Sequence, residues 1–130
     1  MPAKPWVTFR QPDPEREYLV LLTVLPLKRF RDLGAFGVYT LRIVGQLSRT
    51  PGVLGYSLLT HVFHRRFWTL SVWDSEAALQ QFVAENPHSH VMRALQGKMD
   101  QTYFVRWHMR GAEFPPRWQE ALSRQDAASD

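Results

Sequence analysis

Histidines are the side chains of this sequence with the most direct capacity for chemistry, and four of its five fall into two close pairs. His88 and His90 would point about 200° apart around a helix, so they cannot chelate one ion. His61 and His64 have no carboxylate or third histidine near them, whereas a catalytic zinc takes three protein ligands. The chain has no cysteine, which excludes disulfides, thiolate nucleophiles and Cys-ligated metals. The sequence therefore predicts no metal site.

His88 is the candidate catalytic residue. At about 100° per residue it shares a helix face with Val91, Met92 and Leu95, so we expect it to point toward an apolar interior and His90 toward solvent. An imidazole changes protonation near neutral pH and can serve as a general base in such a cavity. The pattern fits equally a core histidine that bonds a backbone carbonyl or caps the preceding helix, and the sequence leaves both interpretations open.

Aromatic side chains are concentrated on the expected strands. Most of them should form core, because an aromatic ring on a pleated face buries a large area. A few could line a pocket for a flat ligand, and with one methionine and one arginine they make up the candidate substrate-binding set: Tyr56, Trp73, Phe82, Met92 and Arg106. Arg106 and His108 lie on the same face of the last strand as Phe104, because side chains alternate along a strand. If that face is covered, both side chains are buried and need hydrogen-bond partners; if it lies at a solvent-exposed rim, both are hydrated.

Composition is that of a globular protein. The chain has 130 residues, of which 45% are hydrophobic and 22% charged, a length that suits one domain. The net charge of +4 comes from arginines scattered along the chain, which favours solubility over a nucleic-acid footprint. No apolar segment is long enough to span a bilayer, and residues 1–10 lack a secretory signal pattern. We therefore expect a cytoplasmic protein with no membrane or nucleic-acid partner.

The order of elements predicts an α+β domain. Residues 1–17 carry four prolines and should form an extended arm, residues 18–124 a single ferredoxin-like domain with a short C-terminal helix, and residues 125–130 a frayed tail. Four strands are expected at 18–25, 55–63, 67–73 and 102–109. Helices are expected at 36–48, after Asp74 and Ser75, and after Pro87, with Trp118 and Leu122 anchoring the C-terminal helix. This β-α-β-β-α-β order is the ferredoxin-like unit with a four-stranded antiparallel sheet.

Both alternating sets of the first strand are apolar, which indicates burial on both faces. One sheet face is covered by helices in this unit, and we expect the face that carries Leu19, Leu21 and Leu25 to need another cover. The simplest cover is the sheet of a second copy, packed face to face across a two-fold axis. The sequence therefore predicts a homodimer that forms a closed α/β barrel.

RNA binding is an alternative from another class, because the RNA-recognition motif has the same order of elements. That motif needs glycine and solvent-facing aromatic residues on its third strand. The third strand here, residues 66–73, reads RFWTLSVW and contains no glycine. A first strand that is apolar on both faces also suits a closed structure better than an open platform for bases.

The segment WDSEAAL at residues 73–79, followed by Phe82 and then Pro87 and His88, resembles the antibiotic-biosynthesis monooxygenase superfamily of dimeric α/β barrels. Within that superfamily, residues 70–95 and 106–122 are most similar to uncharacterised domains related to spheroidene monooxygenase, and the resemblance spans residues 18–122. It implies the dimeric barrel and a small-molecule protein. The function implied is cofactor-independent oxidation of an aromatic or polyene-like apolar substrate, with His88 as base.

The same resemblance implies an alternative, a non-catalytic small-molecule or haem-binding protein on the same dimeric fold. The haem-degrading branch has a tryptophan in the helix after the strand-ending Trp73 and a haem-ligating histidine just over two turns later. Phe82 and Met92 occupy those positions here, so haem degradation is not expected. We expect no cofactor in the first interpretation, and haem with His88 as its axial ligand only in the second.

Overall fold

A computed structural model describes residues 5–84, 88–99 and 102–129, with the backbone alone described at 88–90 and 128–129. Five antiparallel strands form one sheet: β1 (Val7–Thr8), β2 (Glu17–Pro26), β3 (Val53–His61), β4 (Arg66–Trp73) and β5 (Tyr103–Arg110). Their spatial order is β1-β3-β4-β2-β5. The four long strands have the ferredoxin-like order, which confirms the predicted fold class. The fifth strand is the difference from the prediction.

Four α-helices accompany the sheet: α1 (Leu33–Ser48), α2 (Glu76–Ala84), α3 (His88–Ala94) and α4 (Trp118–Ser129). Helix α2 begins where predicted, because the Ser75 hydroxyl accepts a hydrogen bond from the backbone N–H of Ala78 at 3.2 Å. Helix α1 starts three residues earlier than expected. Its buried face holds Phe36 and Leu47, while Leu41 is 73% exposed.

Strand β2 is buried on both faces, as its sequence predicted, but the covers differ from the prediction. Leu19 and Leu21 pack under the helices, in a cluster with Leu79 and Phe82 of α2. The opposite set is the one that needed a second cover: Tyr18, Val20, Leu22 and Val24. Our assignment of the two faces was therefore reversed, because period-2 alternation separates two faces without saying which one the helices cover.

Helix α4 covers that second face from within the same chain. Ala121 is fully buried against it, and Trp118 and Leu122 pack beside Ala121 as the predicted anchors. The Trp118 indole donates to the Ser57 hydroxyl at 2.9 Å. Gln125, which we expected in a frayed tail, accepts from the Trp68 indole at 2.8 Å and donates to the Tyr103 hydroxyl at 2.7 Å. The boundary expected at residue 124 thus falls inside a packed helix.

The cover that α4 provides bears on the predicted homodimer. Because α4 buries the sheet face that a second copy was expected to close, the physical argument for a face-to-face homodimer no longer holds, and the homodimer stays a prediction. Trp68 and Trp107, on the face where an RNA-binding platform would display its aromatic rings, are 6% and 8% exposed under α4. Within the described part of the chain, no helix has the length and apolarity needed to cross a membrane.

The N-terminal arm is joined to the sheet edge. Val7 and Thr8 pair with β3 opposite Tyr56 and Gly55. A Cβ at position 55 would lie 2.4 Å from the Val7 carbonyl oxygen, so glycine there permits the close approach of the arm. Arg10 further anchors the arm through an ion pair with Asp74 at the end of β4.

Replacing Trp118 by alanine should lower the free energy of unfolding by about 3 kcal/mol, because a large ring leaves the α4 interface and the Ser57 hydroxyl loses its donor. Chemical denaturation measures the change. Glu120→Ala is the control in the same helix, where only an exposed ion pair with Arg124 is lost and less than about 0.5 kcal/mol is expected. Equal effects of the two substitutions would contradict the packing of α4 on the sheet.

Candidate functional site

A cavity of about 220 Å³ lies between the sheet and helices α1, α2 and α3. Its sheet wall comes from side chains of β2, β3 and β4 that point to the same face, and its helix wall includes Phe36 and Ile43 of α1 and Leu79 of α2. The residues that line it are almost all apolar, with a few hydroxyl groups. An apolar pocket with few polar groups is the usual form of a small-molecule site.

Strand register places the hydroxyl groups of the sheet wall in two neighbouring rows. In one row Tyr56, Ser71 and Leu21 lie side by side on β3, β4 and β2. In the next row Thr69 pairs with Thr23, and Leu58 and Phe104 extend that row to either side. Members of one row are cross-strand neighbours on the same face, with Cβ atoms about 5 Å apart. The hydroxyls of Ser71, Thr69 and Thr23 therefore lie close together in an otherwise apolar wall.

Trp73 is fixed at the inner end of the cavity by a buried hydrogen bond. Its indole N–H donates to the Ser71 hydroxyl oxygen at 2.8 Å, and its ring centroid lies 5.2 Å from that of Phe82. Because Ser71 accepts this bond, its own proton can be donated to an oxygen atom of a ligand in the cavity. A rigid aromatic wall and one oriented hydroxyl thus lie side by side.

Helix α2 is tied to helix α1 through Phe82. The buried Gln46 side chain of α1 donates from Nε2 to the Phe82 carbonyl oxygen at 3.0 Å. A buried amide that bonds a backbone carbonyl links the two helices at this point. The aromatic wall formed by Phe82 and Trp73 is therefore held from the helix side as well as from the sheet.

The structure brings together four of the five predicted substrate-binding residues, because Tyr56, Trp73, Phe82 and Met92 all line the cavity. Arg106 does not line it. Its side chain is half-exposed on β5 and pairs with Glu76 at the start of α2. The prediction that Arg106 binds substrate remains without support from its position.

His88 is the first residue of α3, and its side chain lies outside the described residues. The later residues that we placed on its helix face, Val91, Met92 and Leu95, do line the cavity. The catalytic role of His88 remains a prediction. Within the described residues that line the cavity, only Tyr39 and Tyr56 carry a titratable group.

The mouth of the cavity opens at the edge formed by α2, α3 and β5. Three lining residues there are partly in solvent: Val83 is 45% exposed, Met92 41% and Phe104 55%. By contrast, Trp73 and Tyr56 at the inner end are 1% and 2% exposed. Val83, next to Phe82 in α2, therefore lies at this apolar entrance.

Sequence reasoning missed Ser71, Thr23 and Thr69. A serine or threonine in a strand gives no signal of its own, and these three act together only because β2 and β4 pair in one register. The predicted residues that line the cavity carry large aromatic rings or a thioether, and each of these side chains can be recognised in the sequence without knowledge of its neighbours in space.

Haem binding through His88 stays a prediction, because that side chain lies outside the described residues. Met92 and Phe82, at the two positions that differ from the haem-degrading branch, both line the cavity. Within the described residues no group of three or more His, Cys, Asp or Glu side chains could hold a metal ion. His61 and His64 are in ring contact with centroids 4.1 Å apart, outside the cavity lining.

Solved structures with the same fold include a cofactor-independent oxygenase and proteins described as proposed monooxygenases. The chain is similar to SnoaB, a cofactor-independent oxygenase from Streptomyces nogalater, with TM-score 0.59 and 14% identity over 73% of this chain and 95% of that one. It is also similar to a proposed antibiotic biosynthesis monooxygenase from Nitrosomonas europaea, with TM-score 0.62 and 15% identity over 68% and 95%. A third similar structure is a proposed monooxygenase from Fusobacterium nucleatum, with TM-score 0.66 and 12% identity over 78% and 46%, so this chain spans about half of it.

These likenesses establish that the chain has the fold of the antibiotic-biosynthesis monooxygenases. The resemblance inferred from the WDSEAAL segment is thereby confirmed at the level of the fold. No protein-family model matches the sequence. No curated protein matches it either.

Substituting Ser71 by alanine should lower the free energy of unfolding by about 1–2 kcal/mol, because the buried Trp73 indole N–H loses its acceptor. Denaturant titration would measure the change in stability. Ser48→Ala is the control, since that exposed hydroxyl bonds only its own helix backbone. A Ser71→Ala protein as stable as the control would show that this hydrogen bond does not hold Trp73.

Proposed function

We propose that this protein is a cofactor-independent oxygenase-like protein that binds an apolar aromatic or polyene-like molecule in the cavity between the sheet and helices α1–α3. The observation that carries the proposal is that the cavity is lined by Trp73, Phe82 and Tyr56 and contains only a few hydroxyl groups. The fold shared with a cofactor-independent oxygenase supports the reaction class.

The proposed reaction requires from the protein only a base and a pocket that excludes water and fits the substrate. A base takes a proton from an electron-rich phenol, enol or activated CH₂ group, and the resulting anion is oxidised by O₂. For an anthrone, the CH₂ group becomes C=O: one oxygen atom of O₂ enters the product and the other leaves as water with the two hydrogens of the CH₂. Water exclusion protects the anion from reprotonation by solvent.

His88 is the base in this proposal. The support is indirect: α3 begins at this residue, and Val91, Met92 and Leu95, which share its expected helix face, line the cavity. The Ser71 hydroxyl would hold an oxygen atom of the substrate at the inner end, beside the Trp73 ring. This arrangement binds the ring on the aromatic wall and leaves its reactive carbon facing α3.

A non-catalytic binding protein is the second candidate. The observation that favours it is that the described lining supplies no acid or base other than two tyrosines, which suits storage or transport of an apolar ligand as well as catalysis. Both candidates predict ligand binding in the same cavity. They differ only in whether bound substrate is consumed.

The experiment is O₂ uptake with a panel of anthrones and quinols, with ligand binding followed in parallel by quenching of tryptophan fluorescence. We expect His88→Ala to reduce turnover at least about 100-fold, in the range contributed by a general base, while the dissociation constant changes less than threefold. His90→Ala, two residues along the same helix, is the matched control and should retain activity. Thermal unfolding of each variant confirms that it is folded.

Binding without O₂ uptake by the native protein would support the second candidate and reject the oxygenase. Equal activity of the two histidine variants would reject His88 as the base. If no member of the panel binds the native protein at millimolar concentration, the proposal that the cavity holds apolar aromatic molecules is wrong.

A further inference from the structure

A second apolar groove of about 280 Å³ lies beside the cavity, between α1 and the ends of β3 and β4. Its outer end includes Val62, which is 44% exposed, and its helix side includes Leu33 and Gly37 of α1. Nothing in the proposed reaction uses this groove.

The groove and the cavity adjoin at a junction, because one set of side chains lines both. These shared residues come from β2, α1, β3 and β4: Leu25, Phe36, Thr40, Leu58 and Thr69. Three of the five are purely apolar, and the Thr40 hydroxyl donates to the Phe36 carbonyl oxygen at 2.8 Å. A ligand at this junction therefore meets a largely apolar surface.

The combined site is longer than a small aromatic molecule. Along β4, Ser71 lines the cavity, Thr69 lies at the junction and Phe67 lines the groove, all on one face of the strand. At roughly 3.3 Å per residue, Ser71 and Phe67 are about 13 Å apart. A two-ring molecule held at Ser71 covers about half of that distance, and the remainder lies under α1.

The groove has the chemistry of a site for hydrocarbon. None of the described residues that line it carries a charge, and its hydroxyl groups are those of Thr40, Thr60 and Thr69. The Trp68 indole N–H lies on the other face of the sheet, where it is bonded to Gln125. A charged or strongly hydrated substituent would lose its water here without gaining a partner.

We propose that cavity and groove form one elongated site, in which the groove binds a flexible apolar chain attached to the ring that the cavity holds. This inference deepens the proposed function and rests on it, since it requires the ring to bind in the cavity. It narrows the ligand to a ring of one or two fused cycles with an alkyl or prenyl-type tail. The tail passes the junction at Thr69 and ends near Val62.

Gly37 makes the proposal testable without damage to the core. A Cβ built on Gly37 meets no atom within 4 Å, and the same is true of Gly34 one turn earlier in α1. Gly37 lines the groove and Gly34 does not. Leucine has a better helix propensity than glycine, so both Gly37→Leu and Gly34→Leu should fold, and only the first should fill the groove.

The probes are 2-naphthol and 6-hexyl-2-naphthol, with dissociation constants measured by tryptophan fluorescence and calorimetry. Each methylene buried in the groove contributes up to about fourfold in affinity, so the native protein should bind the hexyl compound at least tenfold more tightly. Gly37→Leu should abolish most of that gain and leave the affinity for 2-naphthol unchanged within threefold. Gly34→Leu should bind both probes as the native protein does.

The outcomes separate the two proposals. If neither probe binds the native protein, the cavity is not an aromatic site, and both the proposed function and this inference fail. If 2-naphthol binds and the hexyl chain adds less than threefold, only the elongated site is wrong. The same conclusion follows if Gly37→Leu retains the full chain gain, or if Gly34→Leu loses as much of it as Gly37→Leu does.

Discussion

Burial of β2 on both of its faces is the constraint on which the rest of this structure depends. Val20 and Leu22 are fully buried on one side, and Leu19 and Leu21 are 4% and 8% exposed on the other. A strand that is apolar on both faces is unfavourable with either face exposed to water, so the chain must supply a covering layer on each side. Helices α1–α3 form one layer. Helix α4, with Trp6 and Phe114 packed beside it, forms the other.

The two layers differ in how closely they pack against the sheet. On the α4 side, indole and amide groups satisfy one another: Trp68 bonds Gln125, and Trp118 bonds Ser57. That side is a packed core. On the α1–α3 side, the helices leave a cavity whose aromatic wall is braced by the Trp73–Ser71 bond and by Gln46. The protein therefore has a packed core on one face of the sheet and the candidate cavity on the other, and the arm tied at Asp74 closes the sheet edge between them.

Much of the candidate site was predictable from residue type, and the remainder was not. Sequence alone could identify Trp73, Phe82 and Tyr56, because a large aromatic ring between a strand and a helix is expected to bury its area against both. The hydroxyls that accompany them depend on the pairing of β2 with β4, which no local pattern reports. Arg106 was proposed for the same site, but it lies two residues beyond Phe104 on the edge strand, where Glu76 is within reach.

The sequence by itself determined the order of the four long strands and of the helices, the double burial of β2, and the aromatic character of a site near the WDSEAAL segment. These features follow from local periodicity, capping residues and residue size, which act over a few positions. Only the tertiary structure decided which face of β2 helices α1–α3 cover, that α4 covers the other within one chain, and that an apolar groove lies beside the cavity. The physical reason is that alternation divides a strand into two equivalent apolar faces, and contacts between elements far apart in sequence choose between them.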